Sequence, residues 1–201
     1  WFLLNFGWTD AGFGMLNFDG LEGAAMEAAQ AECILAKIGN LISWIFTPLG
    51  WGDWKMTVAA ITGLVAKENV VGTFGQLFGF AEVAEDGQEI WGTLANSMSQ
   101  IAAYSFLVFN LLCAPCFAAM GAIKREMNNA KWTWFAIGYQ CGFAYAIALM
   151  VNQFGSAFTG KLNIIGLIVA VALLAGIIYM LLRPYKEAET LSTREATVGA
   201  K

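Results

Sequence analysis

The chain has 201 residues, 58% hydrophobic and only 13% charged, with a mean hydropathy of +0.59. Soluble domains carry roughly 25% charged residues, so this composition excludes an ordinary soluble domain and predicts an all-α, polytopic transmembrane helix bundle. A net charge of −4 without any basic stripe argues against a nucleic-acid partner.

The chain opens at Trp1 without an initiator methionine or a signal-peptide pattern. Residues 1–8 read as the end of a truncated membrane helix, so the chain is expected to be a C-terminal fragment of a larger membrane domain. Residues 9–32 hold Asp10, Asp19, Glu22, Glu27 and Glu32 with no Lys or Arg. They predict an extracytoplasmic loop carrying a short surface helix over 19–30. Cys33 to Thr47 is apolar apart from Lys37, Asn40 and Ser43, and at about 1.5 Å per residue it barely spans. Pro48 to Asp53 reads as a turn with an interfacial tryptophan, Trp51.

Residues 56–80 are expected to return across the membrane as a broken helix. Met56 to Ala66 is compatible with hydrocarbon, Lys67, Glu68 and Asn69 interrupt it, and Val70 to Phe80 resumes the apolar course. An ionisable group at the bilayer centre costs about 2.5–3.5 kcal/mol on insertion scales, so such groups face a protein interior or a wet path. Glycines at 63, 72 and 75 bracket the charges and permit close backbone approach. Glu68 shares a helical face with Leu64, Val65, Gly72 and Gly75, whereas Lys67 points about a quarter turn away. For both charges a structural ion pair with a neighbouring helix is the bland alternative.

Residues 81–96 are acidic again, and Ser97 to Ile123 is a long span. Within it, Pro115 removes a backbone donor and predicts a kink. Cys113, Cys116 and Met120 follow at helical spacing, which would set three sulfurs on one face as a stop for a soft or borderline cation. Cysteine and methionine are equally ordinary packing residues in apolar cores. The loop 124–131 carries Lys124, Arg125 and Lys131 against Glu126. Trp132 to Phe154 spans again, with Tyr139, Gln140 and Cys141 as a polar patch assigned to packing and interhelical hydrogen bonds. Residues 162–182 form a C-terminal membrane helix, and 183–201 a polar tail. The basic residues place 124–131 and the tail in the cytoplasm. That parity puts 155–161, 9–32 and 81–96 outside, and the turn 48–55 with Lys55 inside.

The absence of histidine restricts any transition-metal site to thiolate, thioether, carboxylate, hydroxyl, amide or backbone oxygen. Three of the four cysteines lie in apolar runs, which argues against a secreted disulfide framework. No GxxxxGK[ST], HExxH or GxSxG pattern occurs, so this segment is not expected to be an enzyme.

Three blocks, PLGWGDWKMTVAAITGLVAKENVVGT (48–73), FLVFNLLCAPCFAAMGAIKRE (106–126) and KWTWFAIGYQCGFAYAIALMVNQFG (131–155), resemble the membrane region of the ferrous iron transport protein B family, FeoB. The likeness is to the second of that family's Gate motifs, and it implies a Gate-type transmembrane region over 33–155. The resemblance implies half of an Fe²⁺ pathway through the bacterial inner membrane. The other half, and a GTP- and Mg²⁺-binding domain, would lie in the N-terminal part of the same transporter. It also implies the small cytosolic protein FeoA as a partner, and a homo-oligomer. The family's PC-x-A cysteine matches Cys116 and its AKE glutamate matches Glu68, both on the implied iron path. Thr62, Lys67, Asn69, Cys113 and Met120 are further pathway candidates. Cys113 and Asn69 depart from the family's usual residues, and no family role carries over to Cys113. The alternative readings are a Gate transporter of a nucleoside-like organic solute and a non-transport membrane assembly module.

Overall fold

The computed structural model describes residues 2–9, 12–18, 24–65, 69–78, 90–160 and 163–183. It opens with one helical turn, α1 (Phe2–Asn5), followed by an antiparallel hairpin of β1 (Phe6–Thr9) and β2 (Gly12–Met15), with Phe6 opposite Met15. The described part of 1–8 is thus helical only up to Asn5. Trp8 meets Phe13 across the strands at 5.0 Å between ring centroids, the kind of aromatic pair that favours a sheet. Gly7 also bridges to Cys33, where a side chain would strike the Glu32 carbonyl.

Helix α2 (Ala24–Ala31) leads into α3 (Ile34–Ser43), whose first turn is capped by the Cys33 sulfur accepting from the Ala36 N–H at 3.2 Å. Its 10 residues make about 15 Å, half of a ~30 Å hydrocarbon core. A short 3₁₀ turn, Thr47–Leu49, follows and closes on Gly50 at φ 90°, a left-handed conformation that glycine adopts without strain.

The chain then forms α4 (Trp54–Val65) and α5 (Asn69–Leu77). Thr62 Oγ1 lies 3.1 Å from Thr73 Oγ1, although the residues are 11 apart in sequence. In a continuous helix they would be separated by about 16 Å. The two helices are therefore a re-entrant hairpin, and the described residues of 56–80 do not run on as the single broken span expected. Between Val65 and Asn69 the chain turns back, where a kink within one span was expected. An apolar run broken by charges has the same hydropathy in either case, so the sequence does not separate the two.

After α6 (Trp91–Ser97), the expected span of 97–123 divides into α7 (Gln100–Leu112) and α8 (Phe117–Met127). Helix α9 (Ala130–Phe158) is 29 residues long, about 43 Å, and α10 (Ile164–Leu182) follows. Among the described residues, three stretches are long and apolar enough to cross a membrane: Gln100–Met127, Ala130–Phe158 and Ile164–Leu182. Helix α10 buries only Ala170 and exposes Ile165, Ile168 and Leu181, the surface expected of a helix against lipid.

Helix α7 packs antiparallel on α9, which serves as a ruler for depth. Ile101 sits on Gly155, Ser105 Oγ donates to the Ala148 carbonyl at 2.9 Å, and Cys113 meets Cys141. The turn 44–53 is pinned to the second half of α9. Tyr145 Oη donates to the Ile45 carbonyl at 2.7 Å, and the Pro48 carbonyl accepts from Asn152 Nδ2 at 3.1 Å and Gln153 Nε2 at 2.8 Å. This turn therefore lies towards the 155–161 side, opposite to the side that the basic-residue parity assigns it. The parity counted 56–80 as a full crossing, and the hairpin there removes one; the charge of Lys55 gives no independent support for the inner side. Lys55 is buried, with Nζ 4.7 Å from the Phe78 ring centroid, and so does not act as a solvated loop charge. Trp51 is buried beside it, stacked on Phe46 at 4.5 Å and edge-on to Phe106 at 5.1 Å. Its indole N–H donates to Ser105 Oγ at 3.4 Å, so the interfacial role predicted for it is replaced by a core role.

Candidate functional site: two interrupted helices at mid-depth

The α7–α8 interruption begins with Cys113, which caps α7 in an extended conformation (φ −61°, ψ 167°). Pro115 has no N–H to continue the helical ladder and biases Ala114 towards extended backbone. The helix restarts at Phe117, with Cys116 as its N-cap (φ −56°, ψ 161°) and the Cys116 carbonyl accepting from the Met120 N–H at 2.9 Å. Pro115 thus produces a full break instead of the expected kink, and the three sulfurs do not share a helical face. Cys113 belongs to the end of α7 and turns to α9. Met120 lies one turn into α8, in a groove with Phe117, Thr133, Trp134 and Ile137.

The α4–α5 reversal comes beside this break. A Cβ built on Gly63 would lie 2.8 Å from Val70 Cγ2 and 3.0 Å from Asn110 Oδ1. Only a residue without a side chain lets the end of α4, the start of α5 and α7 meet so closely. Asn110 stands one turn before Cys113, and its amide donates back to the Phe106 carbonyl at 2.9 Å, which leaves Oδ1 directed at Gly63. On the α9 ruler the end of α4 falls between Cys141 and Ala148, near the middle of that helix. The two interruptions are therefore neighbours at mid-depth.

Lys67 and Glu68 lie outside the described residues, in the connection between the two legs. Asn69 is the first residue of α5. Thr62 points away from the break: it donates to the Ala59 carbonyl at 3.0 Å or pairs with Thr73, and both line a cavity of about 500 Å³ walled by Asn5, Leu35 and Gln76. Among the described residues no group of three or more Cys, Asp or Glu side chains converges as a metal site. Sequence reasoning missed the contact of Cys113 with Cys141, whose sulfurs lie 3.5 Å apart. A sulfur in a polar patch of a membrane helix was the available signal, but partner identity depends on the α7–α9 register. It also gave no role to Asn110, whose contact exists only because the chain reverses between Val65 and Asn69.

The architecture defines a class: a multi-pass helical membrane protein in which a re-entrant hairpin meets an unwound helix within the membrane. Such interruptions put backbone polar groups at a depth where they are tolerated only against protein or a water-filled cavity. A family model described as Nucleoside recognition, Gate, matches residues 23–130. The chain belongs to the Gate family.

Among curated proteins, the chain is similar to the Fe(2+) transporter FeoB of Methanocaldococcus jannaschii, 35% identical over 126 residues, covering 63% of this chain and 18% of that protein. It is 32% identical over 151 residues to the Fe(2+) transporter FeoB of Campylobacter jejuni, covering 75% of this chain and 23% of that protein. A third relative, the Fe(2+) transport protein A/Fe(2+) transporter FeoB fusion protein of Porphyromonas gingivalis, is 30% identical over 139 residues, 64% of this chain and 16% of that protein. The chain spans about a fifth of the length of these relatives. No solved structure matches it.

Proposed function

We propose that this chain forms part of the ion pathway of a membrane transporter for Fe²⁺, with Cys116 and Glu68 as ligands to the moving ion. The observation that carries the reading is the meeting of the two interruptions: the connection bearing Lys67 and Glu68 joins helices that end and begin beside Asn110, one turn from Cys113. A partly dehydrated divalent ion needs oxygen and sulfur partners that replace its water yet release it. The names of the relatives supply the cargo. Asn69 and Met120 are supporting candidates; Thr62 could serve only through the separate cavity that it lines with Thr73, and Cys113 enters through its contact with Cys141.

The rest of the pathway would come from other parts of a longer protein, since the relatives are several times longer. Energy coupling through GTP and Mg²⁺, location in a bacterial inner membrane and a cytoplasmic C-terminus belong to the same proposal. The fusion of transport protein A with FeoB in the Porphyromonas relative supports a FeoA-like protein as a partner. The description of the Gate family favours a second reading, transport of a nucleoside-like solute, with Lys67, Glu68 and Asn69 as hydrogen-bonding groups.

Radioactive Fe²⁺ uptake in cells expressing the full-length protein separates these readings. Cys116→Ser and Glu68→Ala should each depress uptake at equal expression, and excess nucleoside should leave it unchanged. Wild-type uptake in both variants would remove these residues from the pathway, and competition by nucleoside would favour the organic cargo.

A further inference from the structure

Cys113 and Cys141 face each other across the α7–α9 contact with their sulfurs 3.5 Å apart, and neither is in a disulfide. We propose that these two residues form a dithiolate site for a soft or borderline divalent cation, separate from Cys116. The inference rests on the Fe²⁺ reading for its physiological ion, but its geometry stands alone. A tetrahedral ion about 2.3 Å from each of two sulfurs held this far apart would subtend roughly 100° at the metal, close to the tetrahedral angle. The sulfur separation already matches that of a chelated ion.

The surroundings favour an ion over simple packing. Cys113 sits where α7 has ended, and residues 113–116 lie outside any helix, so an ion in the break reaches its sulfur without crossing a packed helix. Binding converts two thiols and one M²⁺ into a neutral M(S–Cys)₂ unit and releases two protons to solvent. Neutrality is what mid-membrane depth demands, because an uncompensated charge there is expensive. The site would hold the cargo one helical turn from Asn110.

Cd²⁺ titration of the full-length protein in detergent tests the site, read by the thiolate-to-cadmium charge-transfer absorption and by proton release. The wild type should show a component releasing two protons per ion. Cys113→Ser and Cys141→Ser should each weaken that component by more than about tenfold, since even outer-shell losses cost 10–100-fold. Cys116→Ser should retain it. An unchanged component in Cys141→Ser, or its disappearance in Cys116→Ser alone, overturns the proposal. Should a variant fail to fold, the wild type still decides. Cd²⁺ must protect both Cys113 and Cys141 from alkylation, mapped by mass spectrometry, and unprotected thiols refute the site. Fe²⁺ uptake measured in parallel separates the two readings. Loss of uptake in Cys116→Ser with no Cd²⁺ effect at Cys141 rejects only the dithiolate site, and the converse rejects only the Cys116 pathway.

Discussion

Gly63→Ala tests the reversal of the chain between Val65 and Asn69. The added methyl would lie 2.8 Å from Val70 Cγ2 and 3.0 Å from Asn110 Oδ1, whereas carbon atoms pack at about 3.5–4.0 Å. Val70 must therefore retreat by about 0.7 Å, and overpacking of this kind costs roughly 1–3 kcal/mol. Val70→Ala removes the offending methyl and should rescue much of that cost. A double-mutant cycle on the full-length protein, read by denaturant unfolding in detergent, should give a coupling of about 1 kcal/mol or more between positions 63 and 70. In a continuous helix these residues would sit seven apart and about 10 Å distant, with no coupling. Additivity within about 0.3–0.5 kcal/mol would refute the hairpin.

Asn152→Leu combined with Gln153→Leu leaves the Pro48 carbonyl without either amide donor, and should cost about 1–3 kcal/mol for the orphaned acceptor in the same unfolding assay; a neutral result would mean that water already serves that carbonyl. Trp51→Ala empties the aromatic cluster with Phe46 and Phe106 and should cost about 3–5 kcal/mol, where an interfacial tryptophan would cost far less. Sidedness is checked by labelling with a membrane-impermeant maleimide in a background lacking the native cysteines. Cysteines introduced at Asp53 and Gly160 should react from the same side, and one at Asn128 from the other. Labelling of Asp53→Cys together with Asn128→Cys would restore the parity counted from the basic loop 124–131.

The membrane class, the helices of 132–154 and 162–182 and some distortion at Pro115 were legible because each depends on local chemistry: apolar length, basic flanks, a missing donor; that the helix ends there entirely, where a kink was expected, was not. Whether an apolar segment crosses or re-enters depends on which partner covers it, and hydropathy contains no partner. Gly63 could be recognised as a close-approach residue, but not as the point where Val70 and Asn110 converge. The topology went wrong for the same reason, since the parity counted 56–80 as a crossing, and the burial of Lys55 over Phe78 is equally invisible in its charge. Likewise, Cys113 and Cys116 are three residues apart in the chain, yet Cys113 finds its sulfur partner 28 residues away because the helix ends between them.

Cross-linking gives the most direct test that the two interruptions share one path. In the full-length protein with Cys113→Ser and Cys141→Ser, Glu68→Cys is paired with the native Cys116 and treated with mild oxidant, and the linked peptides are identified by mass spectrometry. If the hairpin connection faces the α7–α8 break, a disulfide forms readily between positions 68 and 116, and Cd²⁺ added first prevents alkylation of both. Two thiols that alkylate independently, never cross-link and ignore Cd²⁺ would contradict a common pathway.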